Sequence, residues 1–462
     1  MASISPARQA AFDILLILER GKGHSVDLLR ARRISALSAA DRHLATALVL
    51  GSLRWQIALD SKIKPLLARP NARLDAEVLI ALRLAALQFC FLDRIPARAA
   101  IDESVELARR AGHRFASGMV NAVLRKLASS LPRQTPPGVD ANESTADRQP
   151  DAALPVGFLP TSAYPAWMIE RWTRFFGREQ TRAICAHGQT QSTHALRLSN
   201  PELDAELAMQ GIQLVPGELL TAARRVVSGD VLSTTAFRED RARIQDEGSQ
   251  LVAEIAGRGN TILDCCAAPG GKTLILAERN PASRIVAYEA SSARYEKLRE
   301  RLSPLGDRVE CRNVDATSLS DDAHFDLILA DVPCSGTGTL GRNPEIRHRL
   351  SPEDLARHAE RQRAILSASL RALRPGARLV YSTCSLEPEE NEQVVSAVIS
   401  ETPNSRIIPL DQRIGAMRAE GILTGSGVEK LLKSLTLEGF LRLIPGVHGT
   451  DGFFVAMIGR EA

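Results

Sequence analysis

A thiolate is the protein side chain best suited to attack an electron-poor carbon near neutral pH. Two of the seven cysteines in this 462-residue chain stand where such chemistry is feasible. Cys334 lies in Asp331-Val332-Pro333-Cys334-Ser335-Gly336-Thr337-Gly338, and Cys384 in Ser382-Thr383-Cys384-Ser385. Each follows an apolar run, FDLILAD at 325–331 and ARLVYST at 377–383, that reads as a buried strand. One cysteine in such a place is more often a small buried hydrophobe. Two at neighbouring strand ends, each followed by serine, reverse that preference. The tract Glu387-Pro388-Glu389-Glu390-Asn391-Glu392 then opens a helix, and its acids suit the positive end of the helix dipole without any catalytic role.

A second constellation is built for a ligand rather than for attack. The run TILDCC ends at Cys266 and leads through Ala267, Ala268, Pro269, Gly270 and Gly271 to Lys272 and the helix TLILAE. Glycines at a strand-to-helix turn let the backbone approach a ligand, and the helix N-terminus offers free N–H groups. The spacing matches neither GxGxxG nor GxxxxGK[ST], so neither a dinucleotide fingerprint nor a phosphate loop is indicated. The next runs end in Glu289, Asp315 and Asp331. Any one of these acids is explained by helix capping, but three around one crevice, beside the glycine turn, point to a nucleoside cofactor whose ribose diol needs acceptors.

Five apolar runs, at 261–266, 284–289, 308–315, 325–331 and 377–383, alternate with amphipathic helices, the pattern of a doubly wound α/β domain with ligands at the strand carboxyl ends. We place this domain at 243–462. Residues 159–242 mix helices with the short β-like pieces HALRLS and GIQLVP, as in a small α+β subdomain. Residues 136–158 fall in a Pro-, Asp- and Ser-rich tract with no apolar period, expected as a linker. Residues 1–135 read as an all-helical domain. Its first helix is announced by Ser5-Pro6 and a later one by Ser38 with Asp41. The net charge of +4 conceals an asymmetry, since residues 1–135 hold 21 Lys and Arg against 11 Asp and Glu. That end would attract a phosphate backbone. No run of 18 apolar residues occurs, and the opening segment reads as an amphipathic helix rather than an export signal. The odd number of cysteines, without zinc spacing, suits a reducing cytoplasmic setting and no metal.

The strings CAAPGGKT, DVPCSGTGTL and STCSLEPEEN resemble the cofactor loop, the Asp-x-Pro-Cys motif and the Thr-Cys-Ser motif of the Sun/NOL/NOP family of RNA cytosine-5 methyltransferases. RIQDEGSQL, YPAWMIERW and DGFFVAMI are similar to further family segments. IDESVELARR and GMVNAVLRKLA resemble the NusB-like RNA-binding domain of its 16S ribosomal RNA branch. The resemblance implies an α/β Rossmann-like methyltransferase domain behind an all-α NusB-like domain and a small α+β subdomain. It also implies S-adenosylmethionine as cofactor and immature or unassembled 16S ribosomal RNA as partner, with a monomeric protein and no membrane. Cys266, Ala267, Ala268, Pro269, Gly270, Gly271, Lys272, Glu289, Asp315 and Asp331 would line the cofactor site. Cys384 would be the nucleophile and Cys334 would help expel it from the product. Glu289, where many members carry aspartate, and the doubled Cys265-Cys266 depart from the family pattern.

The implied reaction agrees with the residue types. Cytosine C5 is too weak a nucleophile to take a methyl group until a thiolate adds to C6. Asp331 can bond the base edge and balance the charge growing at N3. The target base must be unstacked to reach the pocket. Three alternatives stand beside this one: another RNA target, a non-catalytic RNA-binding protein, and a DNA-type enzyme in which Cys334 attacks.

Overall fold

The computed structural model describes residues 3–71, 73–92, 95–130, 158–190, 194–319 and 324–461, so the expected linker lies outside the described residues except for Phe158. The chain forms two compact units, residues 1–191 with 340–349, and residues 192–339 with 350–462.

The first unit is helical, with helices Pro6–Glu19, Ala39–Ile63, Ala76–Phe91, Ala97–Arg110, Ser117–Ser130 and Ala166–Gln189. Helix Ala76–Phe91 is apolar on nearly every side and therefore central. The polar groups it buries are paired: Arg83 meets Asp60 at 2.7 Å, and Gln88 accepts from Arg8 at 2.7 Å. Ser38 caps its helix by accepting from the Asp41 amide at 3.1 Å. Ser5 holds the N-cap position before Pro6, but its hydroxyl donates instead to Glu103 at 2.9 Å. Residues 340–349 also belong here. Arg347, 1% exposed, stacks 4.0 Å from the Tyr164 ring centre and donates to the carbonyls of Arg54, Ala163 and Gly188.

The second unit contains two sheets. Strands β1 (Ala195–Leu198), β2 (Gln213–Pro216), β3 (Ala223–Ser228) and β4 (Ala242–Ile244) form an antiparallel sheet in the order β2-β3-β1-β4. β1 and β2 lie in the HALRLS and GIQLVP pieces, whereas helix Ala166–Gln189, from the same predicted subdomain, clusters with the helical unit. Buried Glu254 binds Arg197 of β1 at 2.9 Å and Arg279 at 2.7 Å, fastening this sheet to the larger one.

The larger sheet has strands β5 (Thr261–Asp264), β6 (Arg284–Tyr288), β7 (Val309–Arg312), β8 (Phe325–Asp331), β9 (Leu373–Thr383), β10 (Ser405–Ile408), β11 (Leu441–Leu443) and β12 (Phe453–Arg460). The path runs β10-β12-β9-β8-β5-β6-β7, with β11 paired to β12. The five strands expected from the apolar runs are mutually parallel, and an antiparallel flank of β10, β11 and β12 extends them past β9. Successive residues face opposite cores, Ile262 and Leu327 on one side, Leu263 and Ile328 on the other, as buried strands require. From β5 the chain winds outward through β6 to β7, then returns to β8 on the other side of β5. That reversal opens a crevice at the carboxyl ends of β5 and β8.

Candidate active site

The turn after β5 is shaped by its glycines. Gly270 has φ +95°, a left-handed conformation costly for any other residue here, and a Cβ would press on Leu298 at 3.2 Å. It sits at the start of helix Gly271–Arg279 with no side chain capping that end. Asp264, 1% exposed, accepts from Thr273 Oγ1 at 2.8 Å, and burial lifts its carboxyl to about 6. Cys265 points away from the crevice to Ser369 at 3.2 Å, and Cys266 is half-buried. Beyond β6, buried Glu289 accepts from the Ser291 amide at 2.8 Å and faces Arg294 at 3.4 Å. Asp315 is more fully engaged. It caps the short helix Ala316–Ser318 through the Thr317 amide at 3.0 Å and pairs with Arg361 at 2.8 Å. Burial opposes the Asp315 charge, but the Thr317 and Arg361 bonds prevail and lower its pKa.

Lys272 crosses from this turn to the end of β8. Its ammonium meets Asp331 at 2.6 Å and lies 5.6 Å from the Phe453 ring centre. Burial disfavours the charge, but Asp331, Cys384 and Asp264 outweigh it and raise the lysine's pKa. The second Asp331 oxygen accepts from Ser382 at 2.6 Å. Asp331 and Ser382 are partners in the parallel register of β8 and β9, which aligns the two turns that follow. The consequence is a Cys334–Cys384 sulfur separation of 3.4 Å, with both thiols free and half-buried. The hydrogen bond to Cys384 and burial push the Cys334 thiol well above its ordinary value, so it holds its proton. Gly338 donates to the Cys384 carbonyl at 2.9 Å, and a Cβ there would collide with the Gly452 and Cys384 carbonyl oxygens.

Three residues given no site role in the sequence, Glu390, Gln362 and Phe453, enter this site. Glu390 does not belong to a helix's first turn, because the helix starts at Glu392; it is fully buried among Ser335, Ser385 and Gln362. Phe453 follows Asp451-Gly452 at the start of β12 and packs beside Lys272. The DGFF string was the available signal for Phe453. No local signal marks Gln362.

A glycine turn after the first parallel strand, an acid beyond the second and a crevice at the switch point together define a Rossmann-like methyltransferase fold. The profile of the 16S rRNA methyltransferase RsmB/F family matches residues 256–459, and that of the NusB family matches residues 5–129. The chain is 32% identical over 470 residues to the Bacillus subtilis protein named "Probable ribosomal RNA small subunit methyltransferase B", covering 98% of both. It is 32% identical over 426 residues to ribosomal RNA small subunit methyltransferase B of Pseudomonas putida, covering 90% of this chain and 93% of that one. The solved structure of a methyltransferase homolog protein from Pyrococcus horikoshii is similar at 26% identity and TM-score 0.51, over 65% of this chain and 96% of that one. The chain belongs to the 16S rRNA methyltransferase family, in its small subunit methyltransferase B branch. Among the described residues no helix is long and apolar enough to cross a membrane, and no group of His, Cys, Asp and Glu is arranged to hold a metal.

Proposed function

We propose that this chain methylates C5 of a cytosine in 16S ribosomal RNA from S-adenosylmethionine, with Cys384 as nucleophile, as a monomer in the cytoplasm. The observation that carries the reading is the 3.4 Å approach of two free thiols beside the Lys272–Asp331 pair. The crevice suits the cofactor. Small residues Ala267 and Ala268, the left-handed turn at Gly270, the uncapped helix start at Gly271 and the buried acid Glu289 would hold its amino-acid and ribose parts, with Cys266 and Asp315 at the margins. Bound there, it supplies a methyl group activated by a sulfonium.

The protein's own groups do the rest. Cys384, having released its proton to solvent, adds to C6 as the thiolate, which moves electron density to C5. Asp331 accepts from the exocyclic amine of the base, and the Lys272 ammonium that it holds balances the negative charge building toward N3. After methyl transfer the C5 proton passes to solvent and the C5–C6 double bond re-forms. The C6–S electron pair returns to Cys384, which Cys334 protonates from 3.4 Å before regaining a proton from water. Low-barrier release needs a thiol that keeps its proton until this moment, and Cys334 is placed to be one.

The experiment is incubation of the purified chain with methyl-labelled S-adenosylmethionine and a 16S rRNA transcript, followed by nucleoside analysis and mapping. The expected product is 5-methylcytosine at one position. Label on another base, or only on other RNAs, would contradict the proposal.

A further inference from the structure

The two cysteine turns come from sequence positions 50 residues apart, and one carboxylate ties them together. Glu390 is 0% exposed. It accepts from the Ser335 amide at 2.8 Å, the Ser335 hydroxyl, the Ser385 hydroxyl at 2.5 Å, and Gln362 Nε2 at 3.0 Å. Ser335 adjoins Cys334, and Ser385 adjoins Cys384. Gln362 also donates to the Pro333 carbonyl at 2.9 Å, so the Pro-Cys turn is gripped from a second side. Farther along, the Leu386 amide donates to Thr337 at 2.9 Å. None of these bonds engages a sulfur, so both thiols are left to react. A buried carboxylate held by neutral donors is expensive relative to an apolar residue of the same size, which argues for a task beyond packing.

We propose that Glu390 is a positioning residue that sets the sulfur-to-sulfur distance needed to release the methylated base. This rests on the reading of Cys384 as nucleophile. Two thiols on separate turns exchange a proton only while their sulfurs stay within hydrogen-bond reach. Loosening one turn strands the intermediate on Cys384 without preventing its formation. Glu390→Gln turns one acceptor oxygen into a donor facing serine hydroxyls, at almost unchanged volume.

The test uses the full chain as wild type, Cys334→Ala, Glu390→Gln and the double variant, with a 16S rRNA transcript and S-adenosylmethionine. Adduct is read on denaturing gels, alongside kcat, KM and melting temperature. Glu390→Gln should lower kcat about tenfold with KM for RNA within about twofold, and raise the adduct fraction toward that of Cys334→Ala. In the double variant the two losses should not multiply. Ser335→Ala, a milder change, should shift adduct in the same direction by about threefold. An adduct fraction at the wild-type level in Glu390→Gln and Ser335→Ala, or losses that multiply, overturns the proposal alone. Absence of adduct in Cys334→Ala overturns it together with the Cys384 reading.

Discussion

Cys185 in the helical unit and Cys384 in the crevice are both free thiols near a cation, yet their settings differ in kind. Cys185 has no exposure, and burial pushes it up to about 12 although Arg347 pulls the other way. Arg347 itself is spent on carbonyl oxygens and the Tyr164 ring. Cys384 is half-buried at a strand end, and the nearby cation, Lys272, is held by a carboxylate that also faces the crevice. A buried cation beside sulfur therefore does not mark a reactive site. Access, and a second group able to move a proton, do.

The largest expected effect separates the two cations. Lys272→Met should lower kcat by about a hundredfold to a thousandfold, the range for loss of one preorganised charge at a reacting centre. Arg347→Met should leave kcat at low temperature near wild type, because it removes only structural bonds. It should instead cost about 3 kcal/mol of stability, since several buried carbonyls lose their donor. Steady-state kinetics and urea unfolding read these effects, and a large kcat loss from Arg347→Met would break the contrast.

Acid sharpens the same comparison. Burial moves Asp264 of the second unit from 3.8 to about 6, and His348 of the helical unit from 6.5 to about 4. Folded Asp264 holds an extra proton, so its contribution to stability is complete below its unfolded value and is lost as pH rises through 6. Folded His348 sheds its proton, so its contribution is complete above 6.5 and is lost as pH falls toward 4. Each shift costs on the order of 3 kcal/mol at its unfavourable limit, where burial holds a charge, and almost nothing at the other. Asp264→Asn should thus stabilise the chain at pH 8 and change little at pH 4, as measured by unfolding across pH. Equal gains at both pH values would contradict the assignment. The smallest effect belongs to Cys185→Ala, about 1 kcal/mol for the lost sulfur contact, with full methylation activity. Faster alkylation of Cys185 than of Cys384 in the native chain would reverse the comparison.

Much of the second unit was legible in the sequence because continuous apolar runs between helices specify a parallel sheet. Its antiparallel flank was not, since the run that becomes β12 is as apolar as a parallel strand and direction leaves no local trace. β3, ARRVVS, is short and carries two arginines, so it lacked a strand signal. At the site, the strings around Cys334 and Cys384 marked themselves by composition. Glu390 did not, because in a row of acids it looks solvated until folding brings Ser335 beside Ser385. The reach of Lys272 to Asp331 was hidden for the same reason, being a contact between two turns rather than a motif.

The most direct measurement is peptide mass spectrometry on the RNA adduct trapped by Cys334→Ala. A modified cytosine is expected on the peptide that carries Cys384, with no adduct from Cys384→Ala. A cytosine attached to Cys334 in Cys384→Ala would contradict the Cys384 assignment.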